Sequence, residues 1–468
     1  MADADLAGTL TASPEVHRPP PTPPPQPPSR APLLAPRENP LDCALRRLEA
    51  FLALLSFPSS AAAPRLPLRL ILSAAAFVLL GVALPSAAFA LSRSAAGGGH
   101  RIDGFEITVV VSEAAAAAVS LACVSRGLVK YGIRRFLFVD QQHGQDDRLQ
   151  KEYLRKIQDF FYLLFWWILP CFVVKTVREI VRFVYIFHES IWRAVVVLLA
   201  SVASWTYLTT IYLSSCTIFN LVCNLQVVHF EDYGKLLEQD ADPLVYVQEH
   251  LRLRYNLYKI SHRFRIFLLL VFLCVTASQF VILFETTGHG GTVNFTSAAD
   301  IAVSSIVQVV GIVLCLHAAT KISHRAQGIA SLASRWHALV TCNSSDSTLP
   351  RVTNSSGNLE AFPADLLLMD YSESDVESLD NVTVHTNAQL ASYMSSYHKR
   401  EALVLYLLSS PSGITIFGWT VDRTLLNTIF FIEMSLVLFV LGKTIASPTK
   451  PVLTDFIRNL HPNKSMHE

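Results

Sequence analysis

The sequence lacks the short motifs that mark most enzyme active sites. It contains no Gly-x-Ser-x-Gly turn, no Gly-rich nucleotide-binding loop, and no second histidine at metalloprotease spacing after His188-Glu189. No Cys-x-x-Cys pair is present, and His317 and His324, seven residues apart, lack a paired carboxylate with which to hold a metal ion. We therefore expect neither an enzyme nor a protein with a metal or other cofactor.

Charged side chains are also scarce. They make up 16% of the residues, whereas 51% are hydrophobic and the mean hydropathy is +0.37. Because soluble domains average about 25% charged residues, this composition indicates a polytopic membrane protein, with the lipid bilayer as its first partner. The net charge of +1 and the position of the basic residues beside apolar runs predict no nucleic-acid partner.

Seven apolar runs have the ~20-residue length that a hydrocarbon core requires. Since unpaired backbone groups cannot face lipid, each run is predicted to be a helix. The fold class is therefore an all-α membrane protein with seven transmembrane helices. The predicted spans are Leu68–Leu91, Phe105–Val129, Asp159–Arg178, Ile191–Ser214, Phe264–Glu285, Ala299–Thr320 and Thr424–Ala446.

Basic residues are distributed unequally between the two sides of these spans. The segments on the side of the amino terminus carry 28 Lys and Arg residues, and the others carry 10. Cytosolic loops hold the excess of positive charge, so we predict a cytosolic amino terminus and an extracellular carboxyl terminus, in a plasma membrane or an endomembrane. The main exception is a group of four basic residues between the third and fourth spans: Lys175, Arg178, Arg182 and Arg193.

Glycosylation sequons agree only in part with this orientation. Asn294, between the fifth and sixth spans, is predicted to be extracellular and is the predicted acceptor. Asn463 heads a sequon in the tail predicted to be outside. Asn343, Asn354 and Asn381 also head sequons, although their loop is predicted to be cytosolic.

The amino-terminal part of the chain divides into three segments by composition. Residues 1–40 are rich in proline and are predicted to be a disordered cytosolic tail. Residues 41–58 have the apolar spacing of an amphipathic helix lying on the inner leaflet. Residues 68–340 hold the first six spans, and their helical pattern continues beyond the membrane, which predicts a cytosolic helical layer built from extensions of spans 4 to 7.

The remaining segments are predicted as follows. Residues 341–397 form a disordered, acidic, Ser-rich cytosolic loop. Residues 398–446 form a cytosolic helix and the seventh span, and residues 447–468 an extracellular tail. Three serines set among the acids of the loop are predicted phosphorylation sites: Ser372, Ser374 and Ser378.

The pentapeptide Lys-Ile-Ser-His-Arg occurs twice, at Lys259–Arg263 before the fifth span and at Lys321–Arg325 after the sixth. In an antiparallel helix pair these positions lie at one membrane depth, which predicts a basic belt at the cytosolic surface. Ordinary contacts with lipid headgroups, a specific lipid site and a pH sensor all remain open. The belt residues are Lys259, His262, Arg263, Lys321, His324 and Arg325.

Polar side chains inside the spans are the candidates for a ligand site, because polar groups in lipid must face protein or water. In an apolar surround they are also typical of small-molecule pockets. Interhelical hydrogen bonding is the alternative reading. The predicted ligand-binding residues are Glu113, Gln279, Ser305 and Gln308.

The seventh span carries a stripe of small and mildly polar residues on one helical face. Such a stripe suits either a pore lining or close packing against the fifth and sixth helices of the same subunit. Glu433 points away from the stripe and is not predicted to form a selectivity ring. The predicted pore-lining residues are Thr424, Asn427, Thr428, Phe431, Ser435, Leu438 and Gly442.

Several longer stretches carry a family resemblance. They are FWWILPCF at Phe165, CNLQVVHFEDYGKLL at Cys223, HLRLRYNLYKISHRFRIFLLL at His250, VTASQFVILFETTG at Val275, VVGIVLCLHAATKISHRAQGIASLASRWHALV at Val309 and FGWTVDRTLLNTIFFIEMSLVLFVLGKTI at Phe417. Together they resemble the plant gustatory-receptor-like family, a plant domain of unknown function distantly related to insect gustatory and odorant receptors.

This resemblance implies a homotetrameric, ligand-gated cation channel with an unknown small-molecule ligand, whose seventh helices line the pore. In that helix, insect receptors carry Thr-Tyr and Gln-Phe, with five residues between the two pairs. Here the corresponding pairs are Thr428-Ile429 and Ser435-Leu436, so only Thr428 matches. A non-conducting receptor or scaffold that signals through its cytosolic loop is therefore the alternative. A transporter has little support, since no inverted repeat is visible.

Overall fold

The computed structural model describes residues 40–58, 66–95, 104–139, 147–186, 191–237, 243–288, 295–344, 396–410 and 412–446. These residues are almost entirely helical. The elements are α1 (Pro40–Leu54), α2 (Leu66–Phe77), a π-helical turn (Val78–Ala83), α3 (Leu84–Ala95), α4 (Gly104–Leu137), α5 (Asp147–Ile186), α6 (Ile191–Leu237), α7 (Pro243–Gly288), α8 (Phe295–Ser344), α9 (Ser396–Ser409), β1 (Thr415–Ile416), β2 (Trp419–Thr420) and α10 (Arg423–Ala446).

Seven helical segments are long and apolar enough to cross a membrane, and they coincide with the seven predicted spans. The first is the continuous run of α2, the π-helical turn and α3, and the others are α4 to α8 and α10. The predicted seven-helix fold is thereby confirmed. The predicted tails, the glycosylation site Asn294 and the phosphorylation sites Ser372, Ser374 and Ser378 lie outside the described residues.

The helices α6, α7 and α8 are far longer than a bilayer needs. They contain 47, 46 and 50 residues, so each is about 70 Å long at 1.5 Å per residue, against about 30 Å of hydrocarbon. Their extensions pack together beyond the spans, where Tyr233 donates a hydrogen bond of 3.0 Å to the Tyr246 carbonyl and the Tyr246 and Trp336 rings are 5.8 Å apart. We call these extensions, together with α9, the helical layer.

The central contact of the bundle is between α6 and α8. Tyr212 on α6 donates a hydrogen bond of 2.6 Å to the Gln308 carbonyl on α8. One turn away is Gly311, where an added Cβ atom would lie 2.4 Å from the Tyr212 side chain. Glycine at this position therefore allows the two helices to approach closely enough for the buried tyrosine to reach across.

The first helix contacts protein. Its apolar face, formed by Leu41, Leu45, Leu48 and Leu52, is buried. Helix α1 packs against α5 and α4, and the Phe51 ring lies 5.5 Å from the Phe161 ring. The amphipathic pattern was interpreted above as a helix on the inner leaflet, whereas its apolar face is covered by the bundle.

A short hairpin precedes the seventh span. Strands β1 and β2 pair antiparallel through a two-residue turn, in which Phe417 and Gly418 have φ of 49° and 86°. Two positive φ values are typical of a type I′ turn, for which glycine is well suited. The helical layer therefore reaches α10 through α9 and this hairpin instead of through one continuous helix.

Candidate functional site

The predicted pore stripe lies on the exposed side of α10. All seven of its residues are exposed in the single chain, including Phe431 at 67% and Leu438 at 59%. The opposite face, which carries Glu433, Val437 and Val440, is buried. This exposure favours a pore lining over packing of the stripe against α7 and α8 of the same subunit, and the assignment of the stripe stays a prediction.

Glu433 anchors the buried face of α10. Its Oε1 accepts a hydrogen bond of 2.8 Å from Thr276 Oγ1 on α7. A carboxylate inside a span requires such a protein partner, because lipid offers none. This contact connects the helix that carries the stripe to the helix that carries Gln279.

Gln308 joins three helices through its side chain. Its Oε1 accepts a hydrogen bond of 2.6 Å from Ser278 on α7, and its Nε2 donates one of 3.2 Å to Ser112 on α4. Gln308 is only 2% exposed. With Tyr212 on its backbone carbonyl, this residue therefore brings α4, α6, α7 and α8 to one point.

Gln279 and Ser305 form a second buried pair. Ser305 Oγ donates a hydrogen bond of 3.2 Å to Gln279 Oε1. Gln279 is fully buried, and its Nε2 has no hydrogen-bond partner among the described residues. An unpaired buried donor of this kind costs about 1–3 kcal/mol, so the amide offers a binding group to an acceptor placed beside it.

Glu113, the fourth predicted ligand residue, belongs to a different group. Its Oε1 accepts a hydrogen bond of 2.8 Å from the Trp205 indole on α6. The Trp205 ring in turn lies 5.8 Å below the Lys175 ammonium. The structure thus places Glu113 next to a set of buried charges that the sequence analysis did not predict.

These buried charges come from three helices at the end of the bundle opposite the helical layer. Each of the five residues is at most 8% exposed. Lys175 and Arg178 both contact Asp300, the latter at 3.6 Å, and Arg178 also pairs with Glu106 at 3.0 Å. We call the set the charge cluster; its members are Glu106 on α4, Lys175, Arg178 and Glu179 on α5, and Asp300 on α8.

The predicted basic belt divides into two parts. The first pentapeptide faces α4, where Arg263 donates a hydrogen bond of 2.9 Å to the Arg135 carbonyl. The second faces α6, where Lys321 donates one of 2.8 Å to Asn224 and Arg325 pairs with Glu231 at 3.5 Å. The basic side chains of the two copies therefore contact different neighbours.

The serines of the two pentapeptides do meet at one element. Ser323 Oγ accepts a hydrogen bond of 3.1 Å from the Ile414 amide, and Ser261 Oγ accepts one of 3.2 Å from the Thr415 amide. The repeat thus holds the hairpin in front of α10 from two sides. Lys259 lies 4.3 Å from the Tyr255 ring centre, His262 is partly buried and His324 is exposed.

Residues 43–432 match the family described as "Protein of unknown function (DUF3537)". The chain belongs to this family. Two solved structures are similar to this DUF3537 protein. The first is the insect olfactory receptor OR5 from Machilis hrabei in complex with eugenol, and the second is the insect olfactory receptor OR5 from Machilis hrabei. Both comparisons cover 86% of this chain and 98% of the receptor, with 14% and 11% identity and TM-scores of 0.49 and 0.48. No curated protein is significantly similar in sequence.

The charge cluster of this DUF3537 protein was not predicted from the sequence. A signal was present: two basic residues and one acid, Lys175, Arg178 and Glu179, close the apolar run of the third span. Lys175 and Arg178 are among the four basic residues assigned above to the loop between the third and fourth spans, because the apolar pattern ends there. Helix α5 continues to Ile186, so all three remain inside the bundle.

Proposed function

We propose that this DUF3537 protein is a ligand-gated cation channel of four identical subunits. The observation that carries the proposal is the position of the α10 stripe, which lies opposite the buried face of its helix and is exposed among the described residues of its own subunit. Polar side chains such as Asn427 and Ser435 are poorly suited to lipid. Packing of four α10 helices around a central axis places them against water or protein. The number of subunits and the cation preference follow the resemblance to insect receptors.

The stripe also contains the elements of a gate. Phe431 and Leu438 are seven residues apart on the same face, about 10 Å along the helix axis. Rings of large apolar side chains close a narrow pore by excluding water. The polar residues between and below them, including Ser435 and Thr428, give a hydrated path once the rings separate.

The ligand site lies in the polar network around Gln279 and Gln308. The unpaired Gln279 amide favours a small molecule with a hydrogen-bond acceptor, and the neighbouring Ser305 hydroxyl supplies a second polar contact. Gln279 is three residues from Thr276, which bonds to Glu433 on α10. A ligand that shifts this part of α7 therefore acts directly on the helix that carries the stripe.

The proposed orientation places the helical layer in the cytosol. The four basic residues between the third and fourth spans are the main exception to the charge distribution that predicts this orientation. Two of them, Lys175 and Arg178, are paired with carboxylates inside the bundle and so do not act as free loop charges. This pairing supports the amino-terminus-inside arrangement.

Epitope tags test the orientation. In intact cells that express the protein at the surface, a carboxyl-terminal tag is expected to bind antibody, whereas an amino-terminal tag is expected to bind only after permeabilisation. The reason is the odd number of spans combined with the bias of basic charge toward one side. Antibody binding to the amino-terminal tag in unpermeabilised cells would refute the orientation.

Conduction is tested with purified protein in liposomes. With unequal K⁺ and equal Cl⁻ concentrations on the two sides, the difference being made up with a large impermeant organic cation, the protein is expected to give currents that reverse near the K⁺ equilibrium potential. A panel of small hydrogen-bond acceptors should change the open probability, and Gln279→Leu should reduce this response. If no current is found with any compound, the non-conducting receptor or scaffold becomes the better account.

A further inference from the structure

A basic cleft lies between the helical layer and the start of α10. Its volume is about 1130 Å³, and it is lined by residues of α6, α8 and α10. One acidic side chain, Glu231, faces it. Five basic side chains line it: Lys235, Lys321, Arg325, Arg335 and Arg423.

The positive charge of the cleft is only partly compensated. Arg325 pairs with Glu231 at 3.5 Å, and Lys235 pairs with Asp232 at 3.1 Å. Arg335 and Arg423 are exposed and have no hydrogen bond or ion pair among the described residues. Two guanidinium groups thus face the same space, and each is able to bind a phosphate through two parallel hydrogen bonds.

The cleft lies at the edge of the membrane. Thr320, the last residue of the predicted sixth span, donates a hydrogen bond of 3.3 Å to the Asp422 carbonyl, just before α10. This contact puts the basic residues that follow, Lys321 and Arg423, at one depth, which is the depth of lipid headgroups. On the bilayer side of this depth, the apolar side chain of Leu426 lines the cleft.

One face of α8 forms the floor of the cleft. Lys321, Arg325, Gly328, Leu332 and Arg335 follow one another at intervals of three and four residues, so they lie along one side of the helix. A Cβ atom added at Gly328 would meet nothing within 4 Å. The middle of the floor is therefore open and bordered by basic groups at both ends.

We propose that this cleft binds the headgroup of a phosphorylated inositol phospholipid from the adjacent leaflet. Arg335 binds a phosphate monoester of the inositol ring, and Lys321 and Arg423, at the membrane end of the floor, lie at the level of the phosphodiester. The apolar wall near Leu426 accommodates the start of the acyl chains. Asn427 belongs both to this lining and to the stripe, so in the proposed channel the headgroup sits at the cytosolic end of the pore. The binding itself does not depend on whether the pore conducts.

The test uses the full chain in detergent micelles and a fluorescent phosphatidylinositol bisphosphate as the probe. Arg335→Gln/Arg423→Gln is expected to weaken binding about tenfold or more, since each surface cation contributes about 1 kcal/mol and tenfold corresponds to about 1.4 kcal/mol. Gly328→Trp, which fills the floor and keeps every charge, should weaken it as well. Arg148→Gln/Lys151→Gln removes the same charge from exposed positions outside the cleft and should leave the affinity unchanged.

Three results would overturn the proposal. The first is absence of probe binding to the unmodified protein. The second is an equal loss of affinity in the control variant, which would mean attraction to surface charge in general. The third is binding of soluble inositol hexakisphosphate without binding of the lipid, which would assign the cleft to a soluble polyanion. Elution of each variant at the volume of the unmodified protein in size-exclusion chromatography verifies that it is folded.

Discussion

Replacing Asp300 with asparagine is expected to destabilise the folded protein by about 3–5 kcal/mol, the range for a buried ion pair that loses one partner. Asp300 contacts both Lys175 and Arg178, and all three side chains are buried. The variant removes the nearest carboxylate partner of the buried Lys175, whose other partner, Glu179, lies at 3.7 Å. Thermal unfolding in detergent, followed by loss of the monodisperse peak, measures the effect.

An exposed pair provides the matched control. Asp159 on α5 lies 3.7 Å from Lys156, and its side chain is 59% exposed. The same change there, Asp159→Asn, should cost about 0–1 kcal/mol. The combination Lys175→Met with Asp300→Leu should recover part of the stability, since apolar replacement of a whole buried pair is tolerated better than removal of one member. Equal unfolding temperatures for Asp300→Asn and Asp159→Asn would show that the cluster contributes nothing to stability.

Cysteines placed in the stripe are expected to make the current sensitive to a charged, water-soluble thiol reagent. In Ser435→Cys and Leu438→Cys, modification puts a charged group into the narrow part of the proposed pore, and most of the current should disappear. The background should carry Cys342→Ser, because Cys342 is an exposed native cysteine. The measurement is current before and after the reagent in reconstituted protein.

Phe430→Cys is the control on the same helix. Phe430 is 39% exposed but lies outside the stripe, about 100° of helical rotation from Phe431. The reagent should leave its current unchanged, because the side chain faces lipid in the proposed assembly. Equal block at position 430, or no block at 435 and 438, would place the stripe away from the pore.

The features that were predictable from sequence are those set by local periodicity. The seven spans follow from the length of apolar runs, and the face of α10 that carries Phe431 and Ser435 follows from helical phase alone. Both features depend on the sequence of a single helix and on whether lipid or water surrounds it. They can be predicted without knowing which helices are neighbours.

Predicting the charge cluster requires knowing which helices are neighbours. Glu106, Arg178 and Asp300 are far apart in sequence, and only the packing of α4, α5 and α8 brings them together. Each looked like an ordinary charge at the edge of a span. The same limit applied to Leu48 of α1, since an apolar stripe is the same whether lipid or protein covers it.

The repeated pentapeptide shows a different limit. Its basic residues led to the prediction of a basic belt, because basic side chains near a membrane commonly contact lipid headgroups. The serines in the middle, Ser261 and Ser323, make the contacts that the two copies share, and both go to backbone amides of the hairpin before α10. The two strands of this hairpin have only two residues each. Strands this short show no alternation of apolar and polar residues from which the hairpin could be predicted.

Single-particle imaging of the purified protein tests the central claim most directly. We predict four subunits around one axis, with α10 innermost and Phe431 and Leu438 as the side chains nearest to the axis. A monomer, or an oligomer in which the α10 stripe faces the detergent belt, would contradict the account.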